Sequence, residues 1–339
     1  MLDFIKEKWF ILLISILILC SVIYFVMDTT KYNVSKKHVD GKDVIASIES
    51  KDVTADELMD EAPDGELLYN MYKNEVVNQS VKSSKQIEKE AKNMKSVIIS
   101  NVKNQQGENY ETALGAELAS YGFNGYDELY EYCLMNVKQK ELNQKYISKN
   151  FDTLKDSVKD LKPRTVSIIK INVANPDSLT KDEKEKLKNV EDTIQRDSFQ
   201  KAATSFSEDT STASEKGFFG YIDLSDATSQ QPVLDAQLLE SALSMKKGET
   251  SNWIDVADPN AGVVSKYKIY VNETNISSLF HSKDSSVKDR LTNAFLQANP
   301  TLESVVIDNA AKKINVKFQD KEVETKIENY KKTLKGENN

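Results

Sequence analysis

The residues best placed to do chemistry lie between Phe199 and Glu249. A Phe206-Ser-Glu-Asp209 segment closes an apolar helix, so Asp209 is either a plain helix-end carboxylate or a group that faces a substrate. Lys216-Gly-Phe-Phe-Gly220 follows, an aromatic turn bracketed by glycines, then Leu234 and Leu238 four residues apart, then a Lys247-Gly-Glu249 turn. Leucines at that spacing share one helix face, which makes the pair either core or the wall of an apolar pocket. Upstream, Lys170 interrupts the β-branched run Val166 to Val173. A charge in a strand buried on both faces needs a partner, whereas one pointing to solvent from an edge needs none. No Cys/His cluster has metal-ligand spacing, no cofactor motif is present, and His38 and His281 are the only histidines. Cys20 sits in an apolar run and Cys133 in a helical pattern, so they make no disulfide framework.

The elements that must position these residues follow from periodicity. Val166 to Val173 predicts a strand, and Thr180-x-x-Glu183 caps a long charged helix running through Val190, Ile194, Phe199 and Ala203. Trp253 to Val256 and Val263 to Val271 predict two more strands around an Asp258-Pro-Asn-Ala-Gly262 turn. Residues 164–274 thus form a compact α+β domain, bounded by Lys162-Pro163-Arg164. On its N-terminal side, residues 43–163 hold a short strand at Val44 to Ile48, then a helix capped by Thr54-x-x-Glu57 and stopped at Pro63-Asp-Gly65. Helical stripes follow at Leu68 to Val76, Ile87 to Val102, Leu114 to Tyr121 and Leu129 to Val137; a Tyr121-Gly-Phe-Asn-Gly125 turn parts the last two. Residues 275–339 return to helix, with stripes at Val287 to Ala298, Leu302 to Ala310 and Val323 to Leu334 and an alternating strand at Ile314, Val316 and Phe318. The two lone strands, near Val44 and Ile314, are expected to pair, completing a helical lobe into which the middle domain is inserted.

Among 339 residues, 29% are charged, 8% aromatic, and the formal net charge is −8, an acidic balance that argues against nucleic acid as a partner. Trp9 to Met27 is apolar throughout, and ~19 helical residues at ~1.5 Å each just cross a ~30 Å hydrocarbon core. Lys6 and Lys8 precede it, so residues 1–8 form a cytoplasmic tail, 9–27 a transmembrane anchor and 28–42 a linker. A cleaved signal would want a shorter core and a small-x-small site, and a lipoprotein signal a small residue before Cys20; Val26-Met27-Asp28 and Leu19 supply neither. The expected location is the cell membrane, single-pass, with the bulk of the chain extracytoplasmic.

The order helix end, glycine-bracketed turn, apolar helix, second glycine turn resembles the parvulin type of peptidyl-prolyl isomerase domain. The flanks resemble the PrsA-like foldases of Gram-positive bacteria, within the SurA/PrsA-like chaperone group. The resemblance implies a small parvulin-like sheet with helices, inserted into a mainly helical chaperone lobe, that assists the folding of secreted proteins. Its partners would be unfolded secreted polypeptides with Xaa-Pro bonds and the membrane; apolar lobe faces also admit a homodimer. By motif, Asp209 falls at the family's acidic or thiol position. Leu234 and Leu238 fall where a Met and a Phe line the proline pocket, and Phe219 at the Leu position of the glycine turn. The family's two histidines are replaced by Lys170 on the first strand and by Tyr267 on the last, or Lys268 if the register slips by one. Two readings follow: an isomerase in which Lys170, Tyr267 and Asp209 substitute for the polar network, or a holdase or scaffold that keeps the fold and has lost turnover.

Overall fold

The structure is a computed structural model that describes residues 38–39, 42–48, 51–54, 65–229, 233–258 and 263–334. The expected anchor, the Thr54–Glu57 helix and the turn at 259–262 fall outside the described residues, either wholly or in the main. Among the described residues no helix is long and apolar enough to cross a membrane.

The described chain divides into two compact units, one built from residues up to Leu142 and from Ser304 onward, the other from Asn143–Glu303. In the first, strands β1 (His38–Val39), β2 (Lys42–Ile48) and β3 (Lys51–Thr54) form an antiparallel sheet in that order. The strand at Val44 therefore pairs with its own sequence neighbours and not with Ile314–Phe318, which forms no strand. Asn315 takes a left-handed φ of 55° just after a helix end, and Phe318 packs on Tyr72 with ring centroids 5.5 Å apart. Three apolar residues at period two are too few to hold a strand without an edge to join.

Helices α1 (Glu66–Ser80), α2 (Lys85–Gln106), α3 (Tyr110–Ser120) and α4 (Leu129–Lys149) follow. Ser84 caps α2 by accepting from the Ile87 N–H, and Gly107 ends it at a positive φ. The stripes Ile87, Ala91, Leu114, Leu118, Leu129, Cys133 and Val137 meet in one core.

The second unit is organised on a four-stranded antiparallel sheet in the order β5-β4-β7-β6, with β4 Arg164–Val173, β5 Phe218–Ile222, β6 Ile254–Asp258 and β7 Val263–Glu273. Both faces of β4 are covered. Val166 and Ile168 pack with Ile222, Leu234, Leu238, Leu239, Leu243, Ile269 and Val271 under helix α7 (Ala236–Ser244). Ile169, Ile171 and Val173 pack on the opposite face with Leu187, Val190, Phe199 and Ala202. These come from α5 (Lys181–Arg196) and α6 (Phe199–Phe206), where one continuous helix was expected. The break falls at Asp197-Ser198 because Ser198 caps a new helix, accepting from the Lys201 N–H at 3.1 Å. Thr180 and Glu183 form the expected capping box at the start of α5.

The unit extends beyond residues 164–274. Helices α8 (Ile276–Phe280) and α9 (Ser285–Ala298) belong to it, and Arg290 of α9 holds Asp226 through bonds of 2.6 and 2.7 Å. Asp226 in turn accepts from the Asp223 N–H, and Asp223 from the Tyr221 hydroxyl at 2.7 Å. Burial, followed by the Asp223 charge, pushes the Tyr221 phenol up and keeps it protonated as the donor.

Three stability measurements check this packing. Gly217 has φ +78°, and a Cβ there would lie 2.7 Å from both Ala203 Cβ and Ile168 O. Gly217→Ala is expected to cost about 2–4 kcal/mol in urea unfolding, left-handed strain plus overpacking. Gly248→Ala, at φ +85° with open space around it, is expected to cost only the strain, about 1–2 kcal/mol. Arg290→Ala should cost about 2 kcal/mol, less than the ~3–5 kcal/mol of a fully buried pair, because the Arg290 side chain keeps 37% exposure.

Candidate functional site

Strand register brings the candidate residues together. Lys170 of β4 lies opposite Tyr267 of β7, and Tyr267 opposite Ile254 of β6. The three form a row across three strands on the sheet face that carries α7. Tyr267, and not Lys268, is therefore the partner: Lys268 points to the other face, where its Nζ reaches Glu191 at 2.9 Å and the Ser251 carbonyl at 2.9 Å. Lys170 Nζ lies over the Tyr267 ring, 5.9 Å from its centroid, and is half-buried.

Asp209 is positioned by the segment after α6. Ser207 Oγ accepts from the Lys170 N–H at 3.2 Å and from the Asp209 N–H at 3.3 Å, and the Glu208 N–H donates to the Lys170 carbonyl at 2.7 Å. Glu208 also accepts from the Asn172 N–H and from Lys186 Nζ, both at 2.7 Å. The Asp209 carboxylate accepts from the Ser211 N–H and hydroxyl and from the Thr212 hydroxyl at 3.0 Å. Partial burial favours its neutral form, but those bonds and the charge of Lys170 outweigh it and lower its pKa below 3.8. Glu208 behaves likewise: burial is overcome by Lys186 and the Asn172 N–H, leaving it below 4.5.

The apolar residues divide. Phe219 is half-buried and packs on the rim of the α7-side core, with Met245, Ile254, Val256 and Tyr267. Leu234 and Leu238 lie in that core, 6% and 2% exposed, so they support the rim from beneath and present almost no surface themselves. Arg164 fixes the end of α7 by donating to the Ala242 and Met245 carbonyls at 2.6 and 2.7 Å. Ser207, Glu208, Met245, Ile254 and Val256 are the site residues that sequence reasoning missed. Period two along β6 would have found Ile254 and Val256; the others answer to no periodic signal. Among the described residues no group of three or more His, Cys, Asp or Glu could hold a metal ion.

The site is thus a Lys170–Tyr267–Ile254 row beside an apolar rim on a four-stranded antiparallel sheet with helices on both faces. Residues 169–258 match the family model Rotamase, the PPIC-type PPIASE domain, so the middle of the chain carries a domain of that class. The match covers roughly a quarter of the chain, includes Lys170, Asp209, Phe219, Leu234 and Leu238, and stops short of Tyr267. Similar solved structures include PrsA from Bacillus subtilis, 22% identical over 85% of this chain and 98% of that one, with a TM-score of 0.42. Others are the foldase protein PrsA from Streptococcus pneumoniae str. Canada MDR_19A (16%, 85% and 99%, TM-score 0.39) and a SurA-like chaperone from Campylobacter jejuni (16%, 82% and 99%, TM-score 0.23). At those identities and scores nothing about this chain's activity follows from them. No curated protein matches the chain.

The lowered carboxylates set a pH test. A group with a depressed folded pKa stabilises the fold above its unfolded value and loses that contribution as pH falls through the folded value. Glu208→Gln should therefore lower stability near neutral pH, and its difference from the native chain should shrink as pH falls below about 4.5, followed by urea unfolding at several pH values.

Proposed function

We propose that the chain is a membrane-anchored, extracytoplasmic foldase that engages Xaa-Pro segments of secreted polypeptides at the face carrying Lys170 and Tyr267. The observation that carries this reading is the Lys170–Tyr267–Ile254 row beside the half-buried Phe219 and Met245, within and next to the stretch that matches the PPIC-type domain. The apolar run from Trp9 to Met27, preceded by Lys6 and Lys8, supports anchoring with the bulk outside.

Prolyl isomerisation breaks no covalent bond; its ~18–20 kcal/mol barrier is the loss of amide resonance during rotation. A catalyst lowers it by holding the twisted amide in an apolar surround and offering donors to its altered charge. Phe219, Met245, Ile254 and Val256 supply the surround, the Lys170 ammonium and Tyr267 hydroxyl the donors, and the Asp209 carboxylate, which feels the Lys170 charge, completes the polar set. The second reading, a holdase without turnover, is favoured by one observation: Leu234 and Leu238 are buried where an isomerase needs open pocket wall.

A refolding protein limited by Xaa-Pro isomerisation separates the two. The native chain is expected to suppress aggregation and to speed the slow phase severalfold, with the acceleration reduced at least threefold in Asp209→Ala. Suppression without acceleration selects the holdase, and failure of both sinks the foldase reading.

A further inference from the structure

We propose that a groove at the entrance to the sheet binds phosphate, either the free ion or the headgroup of an anionic lipid, through Arg164 and Lys162. The site goes beyond the foldase reading, since none of its lining residues belongs to the Lys170–Tyr267 face. The groove has a volume of about 720 Å³, opens to solvent, and is lined by residues within 151–164 and 274–277, where the chain enters β4 and leaves β7.

Its central feature is a buried cation without a counter-ion. Arg164 is 6% exposed. A guanidinium carries five N–H groups, and three of these are committed. Nε donates to the Lys162 carbonyl at 3.0 Å, and Nη1 to the Ala242 and Met245 carbonyls at the end of α7. The two N–H groups on Nη2 have no partner among the described residues, and no carboxylate there lies within ion-pair distance. Burial presses the guanidinium below its ordinary pKa, with no opposing charge to raise it. Carbonyls at a helix end supply only partial negative charge, and a buried cation is costly until a full one meets it.

Lys162 sets a second cation beside the first. Its side chain is exposed, and its ammonium has no partner among the described residues. Its backbone is left-handed, φ 52° and ψ 49°, a conformation that a residue with a Cβ adopts only under constraint. The constraint comes from both sides: its N–H donates to the Lys159 carbonyl at 3.0 Å, and its carbonyl accepts from Arg164 Nε. Lys155 and Lys159 also line the groove, but Asp152 and Asp156 neutralise them at 2.6 and 2.7 Å. The surplus charge is therefore that of Arg164 and Lys162, in a chain whose formal net charge is −8. The Thr274 and Ser277 hydroxyls line the groove too and have no partner among the described residues. A carboxylate has two oxygens to divide among these donors. A phosphate has enough to meet a guanidinium, an ammonium and hydroxyls together, and arginine suits it in shape and charge.

The test uses the full chain in nanodiscs of neutral phosphatidylcholine and phosphate-free buffer. Inorganic phosphate is the probe, and acetylation by acetic anhydride, read by mass spectrometry, is the signal. Phosphate is expected to slow acetylation of Lys162 about threefold or more while the exposed Lys184 on α5 is labelled as before. Lys162→Gln should weaken phosphate binding about threefold or more by calorimetry. A second arm omits phosphate and adds phosphatidylglycerol to the nanodisc. Protection of Lys162 there assigns the site to a lipid headgroup, and protection by the free ion only assigns it to soluble phosphate. No protection in either arm, equal protection of Lys184, or unchanged phosphate binding in Lys162→Gln overturns the proposal. So does a glutamate-rich peptide that protects Lys162 more strongly than phosphate does, an outcome that would make the groove a seat for acidic polypeptide. If Lys162→Gln fails to fold, the labelling map of the native chain decides.

Discussion

Burying both faces of β4 imposes a constraint that the rest of the unit answers: every backbone polar group of that strand must find a protein partner. On one edge β7 supplies a ladder from Thr165 opposite Glu273 to Val173 opposite Val264, interrupted once by a register shift between Thr165 and Val166. On the other, β5 pairs only from Arg164 to Ser167. The remainder is completed piecemeal by the Gly217 carbonyl, the Ser207 hydroxyl, the Glu208 N–H and the Glu208 carboxylate. This is why Gly217 must approach so closely, and why Ser207 to Asp209 run beside Lys170. The carboxylate reaches the sheet face as a by-product of closing a strand edge.

Two lysines on neighbouring strands show how burial sets electrostatics. Lys268 is 5% exposed, and it has Glu191, the Ser251 carbonyl and the Trp253 ring around it. Lys170 keeps access to water and has no carboxylate within ion-pair distance among the described residues. Asp209 feels the Lys170 charge through space, while its oxygens accept from Ser211 and Thr212. A half-solvated ammonium can be left in this way, whereas a buried one cannot.

What could be read from the chain alone followed from local rules. The β-branched run of β4 and the capping box of α5 are properties of short segments, and the structure has them; the facing of Lys170 by Tyr267 is implied by the family resemblance with Lys268 left open, and it is the register of β4 with β7 that puts Tyr267 there. Ser198 splits the expected long helix because a cap competes with propagation, and an apolar stripe of Val190, Ile194, Phe199 and Ala203 does not register a two-residue interruption. Ile314 to Phe318 alternates like a strand but finds no edge, a tertiary fact invisible in five residues. Leu238 lies on α7, but Leu234 precedes the cap Asp235, so the two do not share one helix face as their spacing suggests; whether each is wall or floor depends on how closely Ile222, Ile269 and Val271 approach it. The roles of Ser207 and Glu208 come from the unfinished edge of β4, which no pattern in their own segment records.

A lysine on β4, where the parvulin resemblance would place a histidine, bears on what this face could do. Preference for a twisted amide over a planar one grows as water is excluded, since fixed groups then act in a low dielectric. A lysine ammonium is strongly hydrated, and holding one at the rim keeps water there with it. Leu234 and Leu238 meanwhile are withdrawn into the core, which removes apolar surface where a proline ring would sit. For the isomerase reading both features count against discrimination between a planar and a twisted amide; for the holdase reading neither matters, since contact across Phe219 and Ile254 needs no such preference.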